Sequence, residues 1–123
     1  MRLLYVEDNR INALLFEEAL KLQPGFELRI AEDGAQALAM AADWSPEVLV
    51  LDSNLPDVDG TQLLQRLRAL PALAQVPAFM CSADAQPEDL ANARSAGFAG
   101  YWAKPISLPA MLADLHQLLP AAH

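Results

Sequence analysis

Five polar or charged residues stand at the ends of short apolar runs in this sequence, where they could do chemistry. They are Glu7 and Asp8 after LLYV, Asp52 after VLVL, Ser82 after AFMC and Lys104 after GYWA. A carboxylate can act as a nucleophile or bind a metal ion, a hydroxyl can donate a hydrogen bond, and an ammonium group can stabilise developing negative charge. Each residue alone is also explained as a turn residue, a helix cap or a surface charge. Their function therefore depends on whether the fold brings them together.

Strand-like and helix-like segments alternate along the chain. Apolar residues recur at helical spacing in the first predicted helix, at Ile11, Leu14, Leu15 and Leu22. Asp33 is placed to cap the second helix, and Pro87 and Gly97 mark the start and the end of the fourth. The pattern predicts strands at 3–6, 26–31, 48–51, 78–82 and 100–103. It predicts helices at about 10–22, 33–44, 60–70, 87–96 and 107–119.

These five βα units predict one doubly wound α/β domain over residues 1–123. Several of the strands are apolar at consecutive positions, which favours a five-stranded parallel sheet with helices on both faces. The carboxyl ends of parallel strands share one edge of the sheet, and the functional crevice of such folds lies outside that edge. The polar residues at the strand ends should therefore meet in one crevice.

The composition argues against several functions. The 123 residues include 16 acidic and 8 basic side chains, and the resulting net charge of -8 argues against direct binding of nucleic acid. No apolar run approaches the ~20 residues of a membrane span, and the first residues are unlike a secretory signal, so we expect a cytoplasmic protein without membrane contact. Cys81 is the only cysteine, and its apolar neighbours predict a buried structural thiol.

Three carboxylates in one crevice would need a cation. Two carboxylates ~4 Å apart repel each other by ~4 kcal/mol at an effective dielectric constant of about 20, which is large against the stability of an ordinary domain. A hard divalent ion would relieve the repulsion among Glu7, Asp8 and Asp52. Mg²⁺ prefers such oxygen ligands and usually also takes a phosphate oxygen. No cluster of histidine and cysteine suggests zinc.

Taken in order, these residues and their neighbours resemble the receiver domain of two-component response regulators over essentially the whole chain. The matching segments are Glu7-Asp8, Asp52 with Leu55-Pro56 and Asp59-Gly60, Ser82-Ala83, and Lys104-Pro105. The opening YVEDN also resembles receivers associated with hybrid histidine kinases. The resemblance implies a CheY-like, flavodoxin-like (βα)5 fold with strand order 2-1-3-4-5 and a cis bond between Lys104 and Pro105.

The resemblance also implies a role for each residue. Asp52 would accept a phosphoryl group from the phosphohistidine of a histidine kinase or a phosphotransfer protein. Lys104 and Ser82 would contact the phosphoryl group. The Mg²⁺ ligands that the resemblance implies are Asp8, Asp52, the backbone carbonyl of Asn54 and, mainly through a bound water, Glu7.

Phosphorylation would then change one face of the domain, as the resemblance implies. Ser82 would move toward the phosphoryl group, and Tyr101, which matches the switch aromatic of the family, would turn into the space behind it. A downstream protein would bind the face formed by the fourth helix, the fifth strand and the fifth helix. Tyr101 could instead be an ordinary half-buried strand residue, whereas Trp102 should point to the opposite face and into the core.

Two other functions fit parts of the pattern. A Mg²⁺-dependent phosphohydrolase of the haloacid-dehalogenase type also forms an aspartyl phosphate, but it needs a second aspartate where this chain has Asn54. A degenerate receiver could act only as a protein-binding module, but it would be expected to lack the acceptor, an acidic residue or the lysine. His116 and His123 are away from the strand ends, which argues against a phosphotransfer histidine. We therefore expect a signalling receiver, which catalyses only its own phosphorylation and dephosphorylation, and no further enzyme activity.

Overall fold

Five strands alternate with five helices in the computed structural model, which describes residues 1–83 and 86–118. The strands are β1 (Arg2–Val6), β2 (Glu27–Ala31), β3 (Val48–Asp52), β4 (Ala78–Ser82) and β5 (Gly100–Ala103). The helices are α1 (Arg10–Lys21), α2 (Gly34–Trp44), α3 (Gly60–Arg68), α4 (Pro87–Ser95) and α5 (Leu108–His116). The order and type of these elements match the sequence prediction. The predicted end of the last helix, at Leu119, lies outside the described residues.

The strands form one parallel sheet in the order β2-β1-β3-β4-β5. This confirms the doubly wound, flavodoxin-like fold. The chain passes from β1 outward to β2 and returns on the other side of β1 to form β3, so the strand order reverses between β1 and β3. In open parallel sheets, the ligand crevice lies at this reversal point, outside the carboxyl ends of the two strands. β1 and β3 are the strands that lead to Glu7 and to Asp52.

Alternate side chains of the sheet pack into two apolar clusters, one on each face. Leu3, Tyr5 and Val50 belong to the cluster beneath α1 and α5. Leu4 and Leu49 belong to the cluster beneath α2, α3 and α4. Because β1, β3 and β4 are covered on both sides, their side chains are apolar at consecutive positions, as the sequence pattern indicated.

Side-chain caps fix where three of the helices begin. Asn9 caps α1, Asp33 caps α2 and Asp59 caps α3, and each side-chain oxygen accepts a hydrogen bond from the backbone N–H groups of the first turn. The predicted cap at Asp33 is therefore confirmed. Asn9 and Asp59 stand in the loops that follow β1 and β3, so these two caps also shape the surroundings of the strand ends.

The apolar residues whose spacing predicts α1 lie on its solvent-facing side. Ile11, Leu14 and Leu15 are exposed, and so is Leu22, which follows the last residue of α1. Phe16 and Leu20 form the buried side of α1 instead. Residues at helical spacing can lie on any side of a helix. The spacing of the apolar residues therefore predicts the helix correctly, but these residues lie on its exposed side and not on the side that packs against the sheet.

Two predictions about single positions are confirmed. Cys81 is buried within β4, as expected for a structural thiol. The bond between Lys104 and Pro105 is cis. Across the described parts of the chain, none of the helices combines the length and the apolar content that crossing a bilayer requires.

Candidate functional site

The strand ends bring Glu7 and Asp52 to the same face of the sheet. Tyr5 and Val50, two residues earlier on each strand, pack into the cluster beneath α1 and α5. Side chains alternate along a strand, so Glu7 and Asp52 follow them onto that face. Lys104 reaches the two carboxylates from the residue after β5. The structure therefore brings together the predicted acceptor Asp52, one acidic residue and the lysine that the sequence singled out.

Glu7, Asp52 and Ser82 are the buried polar side chains of residues 1–83 and 86–118, with 1%, 5% and 2% of their surface exposed. Burying a carboxylate is costly unless a hydrogen bond or an opposite charge compensates it. Here two carboxylates are buried next to each other at the edge of a sheet. The fold itself gains little from this arrangement, which therefore indicates a functional site.

Lys104 neutralises part of the buried charge. Its Nζ lies 2.9 Å from Glu7 Oε1 and 3.2 Å from Asp52 Oδ2. Its backbone N–H donates to the carbonyl oxygen of Ser82, at 2.8 Å. Burial alone would lower the pKa of Lys104, but the hydrogen bond to Glu7 and the charge of Asp52 raise it overall, so the side chain stays protonated. One ammonium group between two carboxylates still leaves the pocket open to a further cation.

The two carboxyl groups differ in their affinity for a proton. Burial and the adjacent Glu7 raise the pKa of Asp52 from its ordinary 3.8 to about 6, against the opposing effect of Lys104. Burial also acts to raise the pKa of Glu7, but hydrogen bonding with Asp52 and Lys104 lowers it overall. Glu7 is therefore the ionised partner, and Asp52 holds its proton up to about pH 6 in the absence of a metal ion.

Glu7, Asp8 and Asp52 together fit a hard divalent cation. One carboxylate oxygen from each lies within 4.8 Å of the others, and Asp8 is exposed on the open side of the group. An all-oxygen donor set that faces solvent on one side suits Mg²⁺, which keeps several of its waters. The same set lacks the nitrogen and sulfur ligands that favour zinc.

The loop after β3 folds tightly around Asp52. Asp52 Oδ1 accepts a hydrogen bond from the Asn54 N–H at 3.3 Å, and Asn54 pairs with Asp59 across the loop. Gly60 begins α3 so close to the strand that a Cβ there would lie 2.6 Å from the Asp52 carbonyl oxygen. The loop thus holds the end of β3 and keeps the Asn54 backbone beside it. The role of the Asn54 carbonyl as a metal ligand stays a prediction.

A contact that the sequence did not predict ties this loop to α2. The Asp57 carboxylate accepts hydrogen bonds from the N–H groups of Gly34 and Ala35, at 2.9 and 3.1 Å. The bond from Gly34 is the main reason why the pKa of Asp57 is lowered. A Cβ on Gly34 would lie 2.5 Å from Val58, so glycine permits this close approach. The partners are more than twenty positions apart in sequence, and no local pattern connects them.

Two side chains that the sequence pattern did not single out bind Glu7. The Tyr5 hydroxyl and Asn12 Nδ2 both donate to Glu7 Oε1, at 3.2 and 3.3 Å. Burial, followed by the charges of Cys81 and Glu7, raises the pKa of Tyr5, so its hydroxyl stays a donor. A signal was present in the sequence, because Tyr5 is the one hydroxyl in the apolar run LLYV and alternates with Glu7.

Tyr101 lies on the opposite face of the sheet from Lys104. It is partly buried against the cluster beneath α2, α3 and α4. It also lines a groove of ≈ 370 Å³ beside α4, together with Leu90 and Arg94. Trp102 points the other way and is buried, with its ring stacked on Phe79 at 4.7 Å between centroids, as predicted.

His116 lies away from the candidate site, as expected from the sequence. Its Nε2 is 3.0 Å from Gln23 Oε1, and its ring stacks on Phe26. These contacts are at the C-terminal end of α1 and of α5, at the opposite edge of the sheet from the carboxylates. His123 lies outside the described residues.

Known proteins resemble this chain in sequence and in fold. The family model for the response regulator receiver domain matches residues 3–116, so the chain belongs to the receiver domain family of two-component response regulators. Receiver domains generally act in signalling rather than as metabolic catalysts.

Individual relatives agree with this assignment. The transcriptional regulatory protein PrrA of Mycobacterium tuberculosis is 36% identical over 118 residues, which are 96% of this chain and 49% of PrrA. The chain therefore spans about half the length of the PrrA regulators that it matches. The chemotaxis response regulator CheY4 of Vibrio cholerae is 25% identical, with a TM-score of 0.87 over 96% of this chain and 98% of CheY4. The Mn²⁺-bound form of response regulator Rcp1 is 26% identical, with a TM-score of 0.79 over 98% of this chain and 99% of Rcp1.

Proposed function

We propose that residues 1–123 form one receiver domain that accepts a phosphoryl group on Asp52 from a phosphohistidine and acts as a phosphorylation-dependent switch. The observation that carries this proposal is the pair of buried carboxylates, Glu7 and Asp52, with the partly buried Lys104 between them and the exposed carboxylate of Asp8 beside them. These charged side chains lie together where a phosphoryl group would be transferred, and the solvent-exposed side of the group leaves access for the phosphodonor.

Asp52 is placed to act as the nucleophile. One of its carboxylate oxygens forms a bond to phosphorus as the bond from phosphorus to the donor histidine nitrogen breaks, and the histidine keeps the electron pair. Lys104, 3.2 Å from Asp52 Oδ2, provides positive charge for the phosphoryl oxygens. Positioning and charge stabilisation account for most of the catalysis of phosphoryl transfer. Ser82, buried at the end of β4, is the residue that we assign to hydrogen-bond a phosphoryl oxygen.

Mg²⁺ is the cofactor that the donor set supports. Asp8 and Asp52 would bind it directly, together with the backbone carbonyl of Asn54, and Glu7 would act mainly through a bound water. When bound, the ion neutralises charge on the carboxylates and on the phosphoryl oxygens. The acidic group in this chain supports a divalent cation at this position, and the Mn²⁺-bound form of Rcp1 shows that a structurally similar response regulator takes up a divalent cation.

A small phosphodonor tests the proposal directly. Acetyl phosphate with Mg²⁺ should add one phosphoryl group to the protein, because the pocket supplies the nucleophile and Lys104, and the ion supplies the remaining positive charge. Intact-mass analysis would detect the product. An excess of EDTA should abolish the reaction, since the carboxylates would then lack their cation. Labelling that is undiminished by EDTA would contradict the metal role, and no labelling with Mg²⁺ would contradict the function.

The output face that we propose consists of α4, β5 and α5. A phosphoryl group adds up to about two negative charges, which would draw Lys104 and Ser82 inward. Tyr101 and Met80 pack into the same apolar cluster, and Ser82 is two residues after Met80 on β4, so Ser82 and Tyr101 lie on the same face of the sheet. Tyr101 also borders the groove beside α4. Its ring has room to change position when Ser82 moves. A small shift at Asp52 would in this way alter a surface on the far side of β5.

Amide NMR with beryllofluoride, which imitates the phosphoryl group, tests this switch. Beryllofluoride with Mg²⁺ should shift the resonances of residues 86–118 as well as those next to Asp52. A minor population in the active form should exist beforehand, because a few kcal/mol separate the two states of such a switch. Shifts confined to the neighbours of Asp52, or an unchanged response to a partner in Tyr101→Ala, would contradict this account.

The phosphodonor that fits this proposal is a histidine kinase or a phosphotransfer protein, and the acceptor of the signal is a protein. The net charge of -8 disfavours direct contact between this chain and nucleic acid. The hydrolase alternative is disfavoured, because this chain has Asn54 at the position where such an enzyme needs a second aspartate. The degenerate-receiver alternative fits poorly with a chain that keeps the acceptor, the acidic residues and the lysine.

A further inference from the structure

Glu7 is held by more hydrogen-bond donors than the proposed phosphoryl transfer requires. Its Oε1 accepts from Lys104 Nζ at 2.9 Å, from the Tyr5 hydroxyl at 3.2 Å and from Asn12 Nδ2 at 3.3 Å. Its Oε2 accepts from the Asn9 N–H at 3.3 Å. Only Lys104 has a role in the reaction, which leaves two side-chain donors on the same oxygen without an assigned function.

The Tyr5 hydroxyl is held rigidly beneath the carboxylates. Tyr5 is fully buried in β1, between Ile30 of β2 and Val50 of β3 in the sheet register. Its ring stacks on Phe16 of α1, with 4.1 Å between the centroids and 27° between the planes. With the ring packed in this way, the hydroxyl lies toward the end of its own strand and donates to Glu7.

Asn12 reaches the same oxygen from α1, and the start of that helix is tied to Glu7. The backbone N–H of Asn9 donates to Glu7 Oε2, while the Asn9 side chain caps the helix by accepting from the N–H of Asn12 at 3.1 Å. The position of Asn12 is thus set by a helix cap that itself contacts the carboxylate. Tyr5 and Asn12 approach Glu7 from two different elements, β1 and α1.

Lys104 cannot serve all its acceptors once Asp52 is phosphorylated. Its ammonium group already contacts Glu7 and Asp52, and a phosphoryl group would add further oxygens that compete for the same three protons. If Lys104 turned toward them, Glu7 would lose its one charged donor. A buried carboxylate that loses its partner is strongly destabilised unless other donors remain.

We propose that Tyr5 and Asn12 are positioning residues that keep the Glu7 carboxylate oriented toward the metal when Lys104 is drawn to the phosphoryl group. Both residues would act through their hydrogen bonds to Glu7. The inference rests on the proposed function and deepens it. It predicts that removing either donor weakens metal binding, and that the loss is larger in the phosphorylated form than in the free form.

Calorimetric titration with Mg²⁺ tests the inference without any turnover. Tyr5→Phe keeps the ring stacked on Phe16 and removes only the hydroxyl, and Asn12→Ala removes the second donor at a partly exposed helix position where alanine favours the helix. Each variant should raise the Kd for Mg²⁺ roughly tenfold when beryllofluoride is present, at the lower end of the range for residues that orient a metal ligand, and by less, about threefold, in the free protein, where Lys104 still holds Glu7.

Trp102→Phe is the matched control. It also removes one aromatic donor from the cluster beneath α1 and α5, because Trp102 Nε1 donates to Asp114 at 2.8 Å, away from the carboxylates. It should lower stability and leave the Kd for Mg²⁺ unchanged in both states. If Tyr5→Phe does not fold, Asn12→Ala alone decides the question.

The outcomes separate this inference from the function on which it rests. A wild-type chain that binds Mg²⁺ and takes up a phosphoryl group, while both donor variants keep the wild-type Kd with and without beryllofluoride, would overturn this inference only. An equal loss of affinity in Trp102→Phe would also overturn it, since the effect would then follow from disturbed packing. A wild-type chain that neither binds Mg²⁺ nor takes up a phosphoryl group would overturn the proposed function and this inference together.

Discussion

Asp52→Asn should reduce labelling by acetyl phosphate and Mg²⁺ to background, a loss of about a hundredfold or more. The amide has the size of the carboxylate and should preserve β3 and its loop, but it offers no anionic oxygen to attack phosphorus and binds the cation more weakly. Intact-mass analysis over a time course measures the effect, and phosphate-affinity electrophoresis gives an independent measurement. Asp52→Ala should give the same result.

Asp59→Asn is the matched control for this loss. Asp59 stands at the other end of the same loop and caps α3 by accepting from the Gln62 N–H at 2.8 Å. An asparagine side chain can accept the same hydrogen bond, so the helix cap persists. Labelling of Asp59→Asn should match the wild type. Wild-type labelling of Asp52→Asn would place the acceptor on another residue, and equal losses in both variants would trace the effect to the loop.

The sequence pattern was sufficient to predict the parallel sheet and the meeting of Glu7, Asp52 and Lys104, whereas the strand order was predicted from the resemblance to receiver domains. Parallel strands align their carboxyl ends, so residues that follow the apolar runs must converge at one edge whatever the details of packing. The sequence did not predict that Glu7 and Asp52 are buried. Their burial depends on the side chains above and below them, and it raises the pKa of Asp52 to about 6.

Contacts between distant segments were beyond the sequence pattern. Asp57 looks like an ordinary turn residue, and its bonds to Gly34 and Ala35 arise only because the fold places the β3–α3 loop beside the start of α2. The buried side of α1 was also not predicted. Leu14 and Leu15 match the helical spacing as well as Phe16 and Leu20 do, and only the sheet decides which residues it covers.

The free energy of unfolding of the metal-free protein should contain a contribution from Asp52 that is lost as the pH rises through about 6. The folded state binds this proton more tightly than the unfolded chain, whose aspartate has a pKa of 3.8. The contribution is therefore fully present below about pH 4 and disappears between about pH 4 and 6, where the unfolded carboxyl group is ionised and the folded one still has to ionise. The difference between 3.8 and about 6 corresponds to at most about 3 kcal/mol.

Glu7 contributes in the opposite direction. Its pKa is lowered in the folded state, so its contribution is present at higher pH and is lost as the pH falls below its ordinary 4.5. Other carboxyl groups with a lowered pKa, Asp57 among them, also lose their contribution to the free energy of unfolding as the pH falls. Comparing the wild type with Asp52→Asn measures the loss of the Asp52 titration together with the change in Glu7, whose pKa depends on Asp52.

Urea unfolding in EDTA, from about pH 4 to about pH 7.5, measures the difference. Asp52→Asn should gain stability relative to the wild type across this range, by about 1 to about 3 kcal/mol at the upper end. A constant difference between Asp52→Asn and the wild type would contradict the raised pKa of Asp52. Saturating Mg²⁺ should reverse the order, because the cation binds the wild-type carboxylates and stabilises the folded state that holds it. The carboxylate charge that destabilises the metal-free domain would then provide its affinity for the ion. A mutation that raises the stability of the metal-free domain by removing this charge is therefore expected to abolish the metal site.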